Sequence, residues 1–315
     1  MPMKIHKVGV VGVGHLGTYH LQKYQKLQAS IAAVADSSPE RAKVAADLYG
    51  CPAFTDYREM TGAVDAVSIA VPTAFHHAVA SVFLDAGVHV LLEKPIATTL
   101  EEADDLIARA DRKGVVLQVG FVERFNPAIV ALEQVIDRPM FIETHRLHPF
   151  FERGTDVDVV LDLMVHDLDI ILNFVRSPLQ RVEAVGIPVL SEKVDIANAR
   201  IVFENGCVAN ITASRVTGKT MQKIRFFGPE GYHSVDYAKR ELVSLGRRKK
   251  GNGETEIVDN KVAVRLQDPL EEEIRSFLEA AANGGEPKVS GREARKSLAL
   301  ALAILQAMKT QEALL

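Results

Sequence analysis

The first third of the chain alternates short apolar runs with segments of helical pattern, and this alternation constrains the fold more than any other feature. Apolar runs without internal polar residues are typical of strands buried on both faces, and a helix between successive strands lets the strands run parallel. The pattern therefore predicts a doubly wound parallel sheet. The strand-like runs are Val8–Val11, Ile31–Ala35, Ala66–Val71, Val88–Leu92 and Val115–Val119, and the helical segments are His15–Leu27, Pro39–Leu48, Phe75–Ala86 and Leu100–Arg112.

Capping residues support these helix boundaries. Ser38 is a typical N-cap because Pro39 follows it in the first helical position, and Thr99 is expected to be a second N-cap. Glycines at 50, 87 and 114 follow predicted helix ends, where a left-handed residue terminates the helix.

The pattern changes after about residue 121, where strand-like runs follow one another with hairpin signals between them, as at Glu204-Asn205-Gly206. A long helix over about Val159–Val175 precedes these runs, and two helices close the chain. We therefore expect an α/β protein of two domains. Residues 1–120 form the parallel-sheet domain, and residues 121–315 form an α/β domain with a largely antiparallel, open sheet.

Composition excludes several classes of protein. The 315 residues carry 37 Lys and Arg against 41 Asp and Glu, and a net charge of −4 argues against a nucleic-acid binder. Cys51 and Cys207 are the only cysteines, so we do not expect a disulfide framework. A low cysteine content is typical of a reducing compartment, and we expect the protein to be cytoplasmic. We find no signal peptide, and the apolar run Leu298–Leu305 is too short for a membrane span. The basic run 247–253 is interpreted as a solvated hairpin tip.

A glycine-rich turn follows the first strand. Gly12, Gly14 and Gly17 match GxGxxG between a strand and a helix, the pattern in which a tight turn and a helix N-terminus receive a pyrophosphate. Asp36 ends the next strand, 19 residues after Gly17, where an acid accepts a hydrogen bond from a ribose 2′-hydroxyl and repels a 2′-phosphate. The sequence thus predicts a Rossmann domain that binds NAD rather than NADP. The expected contacts also include Val13, His15, Leu16 and Ser37.

Polar residues elsewhere have catalytic and ordinary interpretations. Lys94 follows the strand Val88–Leu92 at the sheet edge where ligands bind, although a lysine there is commonly a solvated surface residue. Asp162 and His166 are four residues apart and so share one face of the predicted helix. Such a pair can simply face solvent, but the apolar residues around it indicate a mostly buried helix, in which polar groups need partners.

Five motifs occur in order: GVGHLG at 12–17, VPTAFH at 71–76, EKP at 93–95, GFVERFNP at 120–127 and DLMVHDLD at 162–169. Together they make the chain similar to the Gfo/Idh/MocA oxidoreductase family over essentially its whole length. The resemblance implies a Rossmann domain followed by an α/β domain whose open sheet often forms the oligomer contact, so a homodimer or homotetramer is expected.

The resemblance also implies a catalytic set of Lys94, Asp162 and His166. Oxidation of a secondary alcohol removes a hydride from carbon and a proton from oxygen, and a histidine suits the proton because its pKa lies near neutrality. Lys94 would stabilise negative charge on that oxygen, and Asp162 would orient the imidazole or the substrate. By the same resemblance, Val71, Pro72, His76, Glu93 and Lys94 lie near the cofactor.

One stretch departs from the family pattern. Many members carry a glycine-rich run just before the aspartate of DxxxH, whereas residues 154–161 here are Gly-Thr-Asp-Val-Asp-Val-Val-Leu. We therefore expect a different loop shape and substrate pocket. Histidines and aspartates near this stretch, such as His145, His148, Asp156 and Asp158, do not form an HExxH motif, and no metal is expected.

Within the family, three stretches most resemble the UDP-N-acetylglucosamine 3-dehydrogenases that act before a 3-aminotransferase in making lipid A-type sugars. These stretches are 122–127, 164–171 and 195–215. The resemblance implies a 3-keto nucleotide sugar and NADH as products, with an aminotransferase as a pathway partner. The expected substrate contacts are Lys94, Glu123, Arg124, Asn126, Arg146, Asp162 and His166, with Arg153 and Arg215 as further diphosphate candidates or plain surface charges.

Three alternatives stay open. The chain could oxidise a free sugar or an inositol, or it could use tightly held NAD transiently to cleave a glycosidic bond without net NADH. It could also be a non-catalytic NAD-sensing regulator. Retention of Lys94, Asp162 and His166 argues against the regulator.

Overall fold

The computed structural model describes residues 7–150, 157–229, 231–251 and 254–312. The chain divides into two compact units. The first contains the described residues up to Val122 together with Asp268–Leu298, and the second contains Glu123–Gln267 and the residues from Ala299 onward. Two residues of the sequence analysis, Arg153 and Asp156, lie outside the described residues, as do Gly154 and Thr155.

The first unit is built on a six-stranded sheet in which every pairing is parallel. Its strands are β1 (Lys7–Val11), β2 (Ser30–Ala35), β3 (Ala53–Phe54), β4 (Ala66–Ile69), β5 (His89–Glu93) and β6 (Leu117–Gly120), and its helices are α1 (His15–Lys26), α2 (Pro39–Tyr49), α3 (His76–Asp85), α4 (Leu100–Lys113) and α7 (Pro269–Asn283). The spatial order is β3-β2-β1-β4-β5-β6. This arrangement confirms the predicted Rossmann sheet and adds β3, which is too short to show in the apolar pattern.

The predicted caps set the ends of these helices. The hydroxyl oxygen of Ser38 accepts the backbone N–H of Arg41 at 3.3 Å, and that of Thr99 accepts the N–H of Glu102 at 3.2 Å. Gly50 and Gly114 end α2 and α4 with φ of 67° and 64°, a conformation that strains other residues. Local sequence therefore determines where each crossover helix starts and stops.

The segment Asp268–Leu298 was predicted within the second domain but belongs to the first unit. Its apolar face explains the placement, because Ile274, Phe277 and Leu278 of α7 are buried in one cluster with Val8 and Tyr24. A final helix, α8 (Gly291–Glu312), is divided between the units after Leu298. The predicted limits of the two domains, residues 1–120 and 121–315, stay a prediction.

The second unit contains an eight-stranded sheet that is antiparallel at every pairing except β7–β10. Its strands are β7 (Phe141–Leu147), β8 (Leu179–Ile187), β9 (Ile196–Phe203), β10 (Val208–Ser214), β11 (Met221–Gly228), β12 (Gly231–Asp236), β13 (Glu241–Lys249) and β14 (Thr255–Asp259), and its helices are α5 (Pro127–Leu132) and α6 (Val165–Phe174). The spatial order is β14-β13-β12-β11-β7-β10-β9-β8. The predicted largely antiparallel sheet is therefore confirmed.

One face of this sheet forms the core of the second unit. Alternate residues of β9, such as Ala199 and Ile201, are buried in one cluster with Leu168 of α6 and Ile304 of α8. The basic run lies at the end of the β13–β14 hairpin as predicted, although its exposed residues Arg247–Lys249 still belong to strand β13. In the described ranges we find no helix with the length and apolar character that a bilayer crossing requires.

Candidate active site

The turn between β1 and α1 has the geometry that its glycines predict. Gly12 has a φ of 85°, and a Cβ atom at Gly17 would overlap the carbonyl oxygen of Gly12, so helix and turn approach each other only without side chains. Apart from the adjoining backbone, no atom of the described residues lies within 4 Å of the position that a Cβ would take at Gly14. His15 and Leu16 follow in the first turn of α1, and both are exposed. The turn therefore leaves open space beside a helix N-terminus, which fits a pyrophosphate.

Asp36 ties this turn to the end of β2. Its Oδ2 accepts the backbone N–H of Val13 at 3.0 Å, and its Oδ1 accepts the backbone N–H of Ser38 at 2.9 Å. Arg41 also donates to Oδ1, from Nη2 at 2.6 Å. Burial alone would raise the pKa of Asp36, but these hydrogen bonds and the charge of Arg41 lower it overall. The carboxylate is thus ionised and fixed at the position expected for a ribose contact.

A cavity of about 650 Å³ opens between these elements in the first unit. Its volume lies within the roughly 300–1,000 Å³ of ligand pockets. Six of the predicted cofactor residues line it, together with residues that were not predicted, among them Arg41, Arg58 and Phe75; the six are Gly12, Gly14, Asp36, Ser37, Val71 and Pro72. The glycine turn, the fixed carboxylate and the apolar wall together fit a dinucleotide such as NAD.

The end of β5 carries Glu93 and Lys94, both half-buried. Glu93 Oε1 lies 3.0 Å from His20 Nε2, and Glu93 Oε2 accepts the backbone N–H of Lys94 at 3.3 Å. His20 Nδ1 lies 3.0 Å from the Ser68 hydroxyl, which lies 2.7 Å from that of Tyr24. Burial would raise the pKa of Glu93, but the hydrogen bond and charge of His20 lower it overall. A row of hydrogen-bonded side chains in the interior therefore fixes the backbone from which Lys94 extends.

His76 begins α3, and its side chain is fully buried. Its Nδ1 lies 2.8 Å from the carbonyl oxygen of Pro95, and its Nε2 lies 2.9 Å from that of Val71. Burial lowers the pKa of His76, and the two carbonyl oxygens oppose that change without reversing it. His76 therefore joins the EKP turn to the end of β4, beside the cavity residues Val71 and Pro72.

Asp162 and His166 lie in the second unit at the start of the helix predicted over Val159–Val175. The first turn, Val160–Met164, is a π-helix, and α6 begins at Val165, so Asp162 and His166 belong to different helical geometries. Short π segments within α-helices are frequent at functional sites. Both side chains are half-buried, whereas Val160 and Met164 beside them are fully buried.

Most of the other predicted substrate residues form a buried ion-pair network in the second unit. Arg146 donates to Asp167 from Nε at 2.8 Å and from Nη2 at 3.2 Å, and to Glu123 from Nη1 at 3.2 Å. Asn126 Nδ2 donates to Glu123 at 3.0 Å and to the carbonyl oxygen of Tyr237 at 3.1 Å. Burial would lower the pKa of Arg146, but the charges of Asp167 and Glu123 raise it overall. These residues are held by one another within the fold.

The two other described arginine candidates have similar surroundings. Arg124 is buried, with Nη1 3.5 Å from Asp169 Oδ2. Arg215 is also buried, and its Nε donates to Asp195 at 2.8 Å. Among the described residues, there is no group of three His, Cys, Asp or Glu side chains arranged to hold a metal ion.

Sequence reasoning missed Arg41 and His20. Arg41 lies in the first turn of α2, five residues after Asp36, and could have been found because that turn starts beside the strand end that carries the acid. His20 lies three residues after Gly17, one turn along α1, and its partner Glu93 is 73 residues away, so no local pattern joins them.

Comparison with known proteins agrees with this geometry. The model of the Gfo/Idh/MocA oxidoreductase family, described as an NAD-binding Rossmann fold, matches residues 6–121, and the C-terminal domain model of the same family matches residues 130–234. A UDP-N-acetylglucosamine 3-dehydrogenase of Acidithiobacillus ferrooxidans is 40% identical over 307 residues, covering 96% of this chain and 97% of the relative. A solved structure of that enzyme has a TM-score of 0.90 at 39% identity and covers 96% of this chain and 98% of its own.

A myo-inositol 2-dehydrogenase of Thermotoga maritima is 25% identical over 324 residues and covers 96% of each chain. The family match confirms the predicted NAD-binding domain. The roles predicted for individual residues stay predictions.

Proposed function

The chain belongs to the Gfo/Idh/MocA oxidoreductase family and is an NAD-dependent dehydrogenase of CH–OH groups, and from this premise we propose that it oxidises C3 of UDP-N-acetylglucosamine. The products would be the 3-keto nucleotide sugar and NADH. The observation that carries this proposal is the 40% identity to a UDP-N-acetylglucosamine 3-dehydrogenase over 96% of the chain. Inositol dehydrogenases share only about a quarter of their residues with it over the same length.

We assign the chemistry to Lys94, Asp162 and His166. Bound NAD supplies the hydride acceptor. His166 takes the proton of the reacting hydroxyl, because an imidazole can accept and release protons near neutral pH. Lys94 donates a hydrogen bond to the same oxygen and stabilises its negative charge, and Asp162 orients the imidazole or the substrate.

Glu123, Arg124, Asn126 and Arg146 remain our candidates for substrate contact. Glu123 is hydrogen-bonded to Asn126 and Arg146, and Arg124 pairs with Asp169, which supports a role as ordered polar groups rather than as mobile cations. Side chains held in this way lose little conformational entropy when a ligand binds, because they are already ordered.

We propose two kinds of partner, an enzyme that consumes the product and further copies of this chain. A 3-keto sugar is a substrate for an aminotransferase, which we propose as the next enzyme of a lipid A-type amino-sugar pathway in the cytoplasm. We also propose a homodimer or homotetramer, in which the outer face of the eight-stranded sheet is covered. Val185 and Ile187 of β8 are 44% and 54% exposed, which supports association through this sheet.

Among the alternatives to this substrate, the similarity to inositol dehydrogenases favours oxidation of a free sugar or inositol. A direct test is to mix the purified protein and NAD⁺ with a carbonyl trap and to follow NADH absorbance. Parallel samples contain UDP-N-acetylglucosamine, UDP-glucose, glucose or myo-inositol.

Signal with UDP-N-acetylglucosamine alone is the expected result. Signal with a free polyol alone would replace the proposed substrate but keep the family activity. If every sample stayed silent, mass spectrometry of cofactor released from the denatured protein would test for tightly held NAD, and its presence would favour the redox-neutral alternative.

A further inference from the structure

Three consecutive residues just before the π-helical turn are each held by hydrogen bonds from elsewhere in the second unit. The carbonyl oxygen of Val157 accepts a hydrogen bond from Arg215 Nη1 at 2.9 Å. Asp158 Oδ1 accepts the backbone N–H of Val194 at 3.0 Å, and the N–H of Val159 donates to the carbonyl oxygen of Val194 at 2.9 Å. The turn that follows therefore starts from a fixed backbone.

The next hydrogen bonds connect this fixed backbone to the helix that carries the predicted catalytic pair. The carbonyl oxygen of Asp158 accepts the backbone N–H of Leu161 at 3.0 Å and that of Asp162 at 3.1 Å. His166 lies four residues further on, near the start of α6. The first N–H groups of a helix have no partner within the helix, so the residues that accept them help to fix where the helix begins. The orientation of Asp162 and His166 thus depends on where residue 158 is held.

Arg215 is itself fixed by a buried carboxylate. Its Nε donates to Asp195 Oδ1 at 2.8 Å, and its backbone N–H donates to the carbonyl oxygen of Asp195 at 2.9 Å. Both side chains are almost inaccessible, at 2% and 0% exposure. Asp195 Oδ2 also accepts the backbone N–H groups of Val189, Leu190 and Ser191 at 2.8, 2.6 and 2.8 Å. The arginine therefore joins the connection between β8 and β9 to the chain just before the π-helical turn.

Each of the three nitrogens of the Arg215 guanidinium has a partner. Nε donates to Asp195, Nη1 donates to the carbonyl oxygen of Val157, and Nη2 donates to Ser191 Oγ at 3.1 Å. A guanidinium presents these donors in a rigid fork, whereas a lysine ammonium is a point charge on a flexible stem. The arrangement therefore requires the geometry of arginine as well as its positive charge.

We propose that Arg215 and Asp158 are positioning residues, which hold residues 157–159 and thereby set the orientation of Asp162 and His166 for the reaction. This inference rests on the proposed assignment of the chemistry to those two side chains. Arg215 acts through the backbone in this scheme and does not touch the substrate. Displacement of a reacting group by about 1 Å can lower a rate about 10²-fold, so a small shift of this segment has a measurable effect.

The test measures kcat and KM with NAD⁺ and UDP-N-acetylglucosamine, or with the sugar that replaces it in the assay above. Arg215→Lys keeps a cation beside Asp195 but cannot reach Val157 and Ser191 as well, and kcat should fall about 10- to 100-fold. KM should stay within about threefold, since the lost interaction acts on the transition state. The Kd of NADH should stay within about twofold, because the predicted cofactor contacts lie in the first unit.

Ser191→Ala is the matched control. It removes the hydrogen bond from Ser191 Oγ to Asp195 at 2.7 Å and the one from Arg215 Nη2, but it leaves the bond from Arg215 to Val157. We expect a lower Tm and a kcat within about threefold of the native value. If Ser191→Ala and Arg215→Lys lost kcat equally at an equal loss of Tm, activity would follow stability alone and the proposal would be wrong.

A pair of variants at Asp158 tests the same segment without changing Arg215. Asp158→Ala removes the acceptor of the Val194 N–H and should lower kcat about 10- to 100-fold. Asp158→Asn keeps a side-chain carbonyl oxygen that can accept the same hydrogen bond, so its kcat should lie within about threefold of the native value. A native kcat in Asp158→Ala would contradict the proposal, and this pair decides if Arg215→Lys does not fold.

The double variant Arg215→Lys/His166→Ala separates this inference from the proposed function. Residues that act as one unit are not additive, so the double variant should have a kcat within about threefold of that of His166→Ala. Losses that multiply would overturn the positioning role and leave the assignment of His166 intact. An unchanged kcat in His166→Ala would instead refute that assignment, and this inference with it.

NMR of the histidine side chains gives a measurement that needs no substrate. The resonance of His166 is the one absent from His166→Ala. It should shift in Arg215→Lys and keep its position in Ser191→Ala. A resonance of His166 that is the same in the native protein and in Arg215→Lys would contradict the proposal.

Discussion

The two units hold their arginine–aspartate pairs in different ways. In the first unit, Arg41 meets Asp36 through one 2.6 Å hydrogen bond, and more than half of the arginine side chain is exposed. In the second unit, Arg146 makes two hydrogen bonds to Asp167, and these side chains are only 5% and 1% exposed. The guanidinium of Arg146 also lies 4.8 Å from the centroid of the Tyr237 ring.

This difference separates charges that a ligand can recruit from charges that maintain the fold. An exposed guanidinium exchanges water or one carboxylate for a phosphate at little cost. An enclosed one cannot leave its carboxylates without burying unpaired charges, which is strongly destabilising. An exposed arginine can therefore turn toward a phosphate, whereas a buried one can contribute to binding only from the position in which its partners hold it.

The comparison also distinguishes groups within the second unit. Asp162 and His166 are half-buried, whereas Arg146 and Asp167 are fully buried, so the solvent reaches the predicted catalytic pair more readily than the ion pair. We expect His166→Ala to lower kcat about 10²- to 10⁴-fold, the usual contribution of a general base. The Kd of NADH, measured by fluorescence, should stay within about twofold, because all the cofactor contacts that we predict lie in the first unit.

His145→Ala is the matched control for this variant. His145 is a half-buried histidine on β7 of the same unit, and we expect its replacement to change kcat less than about threefold. An unchanged kcat in His166→Ala would remove His166 as the base. Equal losses of kcat and NADH affinity in His166→Ala would show that cofactor binding also depends on the second unit, contrary to our proposal.

The next largest effect concerns stability. Arg146→Met leaves the buried Asp167 and the half-buried Glu123 without this cation, and we expect it to lower the free energy of unfolding by about 3–5 kcal/mol. Arg41→Met should lower it by no more than about 1 kcal/mol, because the Arg41 side chain is largely exposed and Asp36 keeps its two backbone N–H donors. Urea unfolding of the two variants measures both values.

The double variant Arg146→Met/Asp167→Leu tests the cause. It removes one of the unpaired carboxylates, so part of the lost stability should return. If the two single variants lost equal stability, the distinction between an exchangeable and a fixed pair would be wrong.

The sequence predicted those parts of the molecule whose structure depends on residues close together along the chain. Glycine spacing, the acid at the end of β2 and the caps at Ser38 and Thr99 are local, so their structures follow from a few consecutive residues. The Arg146–Asp167 pair depends on β7 facing α6, which the local pattern does not specify. The π turn at Val160–Met164 was predicted as ordinary helix for the same reason: apolar spacing indicates a helix without fixing its hydrogen-bond register.

The last comparison, whose effect depends on pH, is between a buried acid that has an arginine partner and a buried acid that has none. Asp195 accepts hydrogen bonds from Ser191, Arg215 and backbone N–H groups, and these outweigh burial to lower its pKa. Glu273 of α7 is fully buried, and neither carboxylate oxygen has a hydrogen bond among the described residues. Burial and the nearby charge of Glu93 raise the pKa of Glu273 well above its usual value. The two acids should therefore give stability opposite dependences on pH.

For Glu273, the folded state binds the extra proton between the ordinary pKa of about 4.3 and the raised folded value, so stability falls as pH rises through that window. The advantage of Glu273→Gln over the native protein should therefore grow with pH, by at most about 1.4 kcal/mol per unit. For Asp195, the unfolded state binds the extra proton, and the advantage of the native protein over Asp195→Asn should shrink as pH falls below about 4. Unfolding by urea from pH 3 to pH 9 measures both differences. Parallel pH curves for the native protein and Glu273→Gln would show that Glu273 is charged despite its burial, and would require a cation or water beside it.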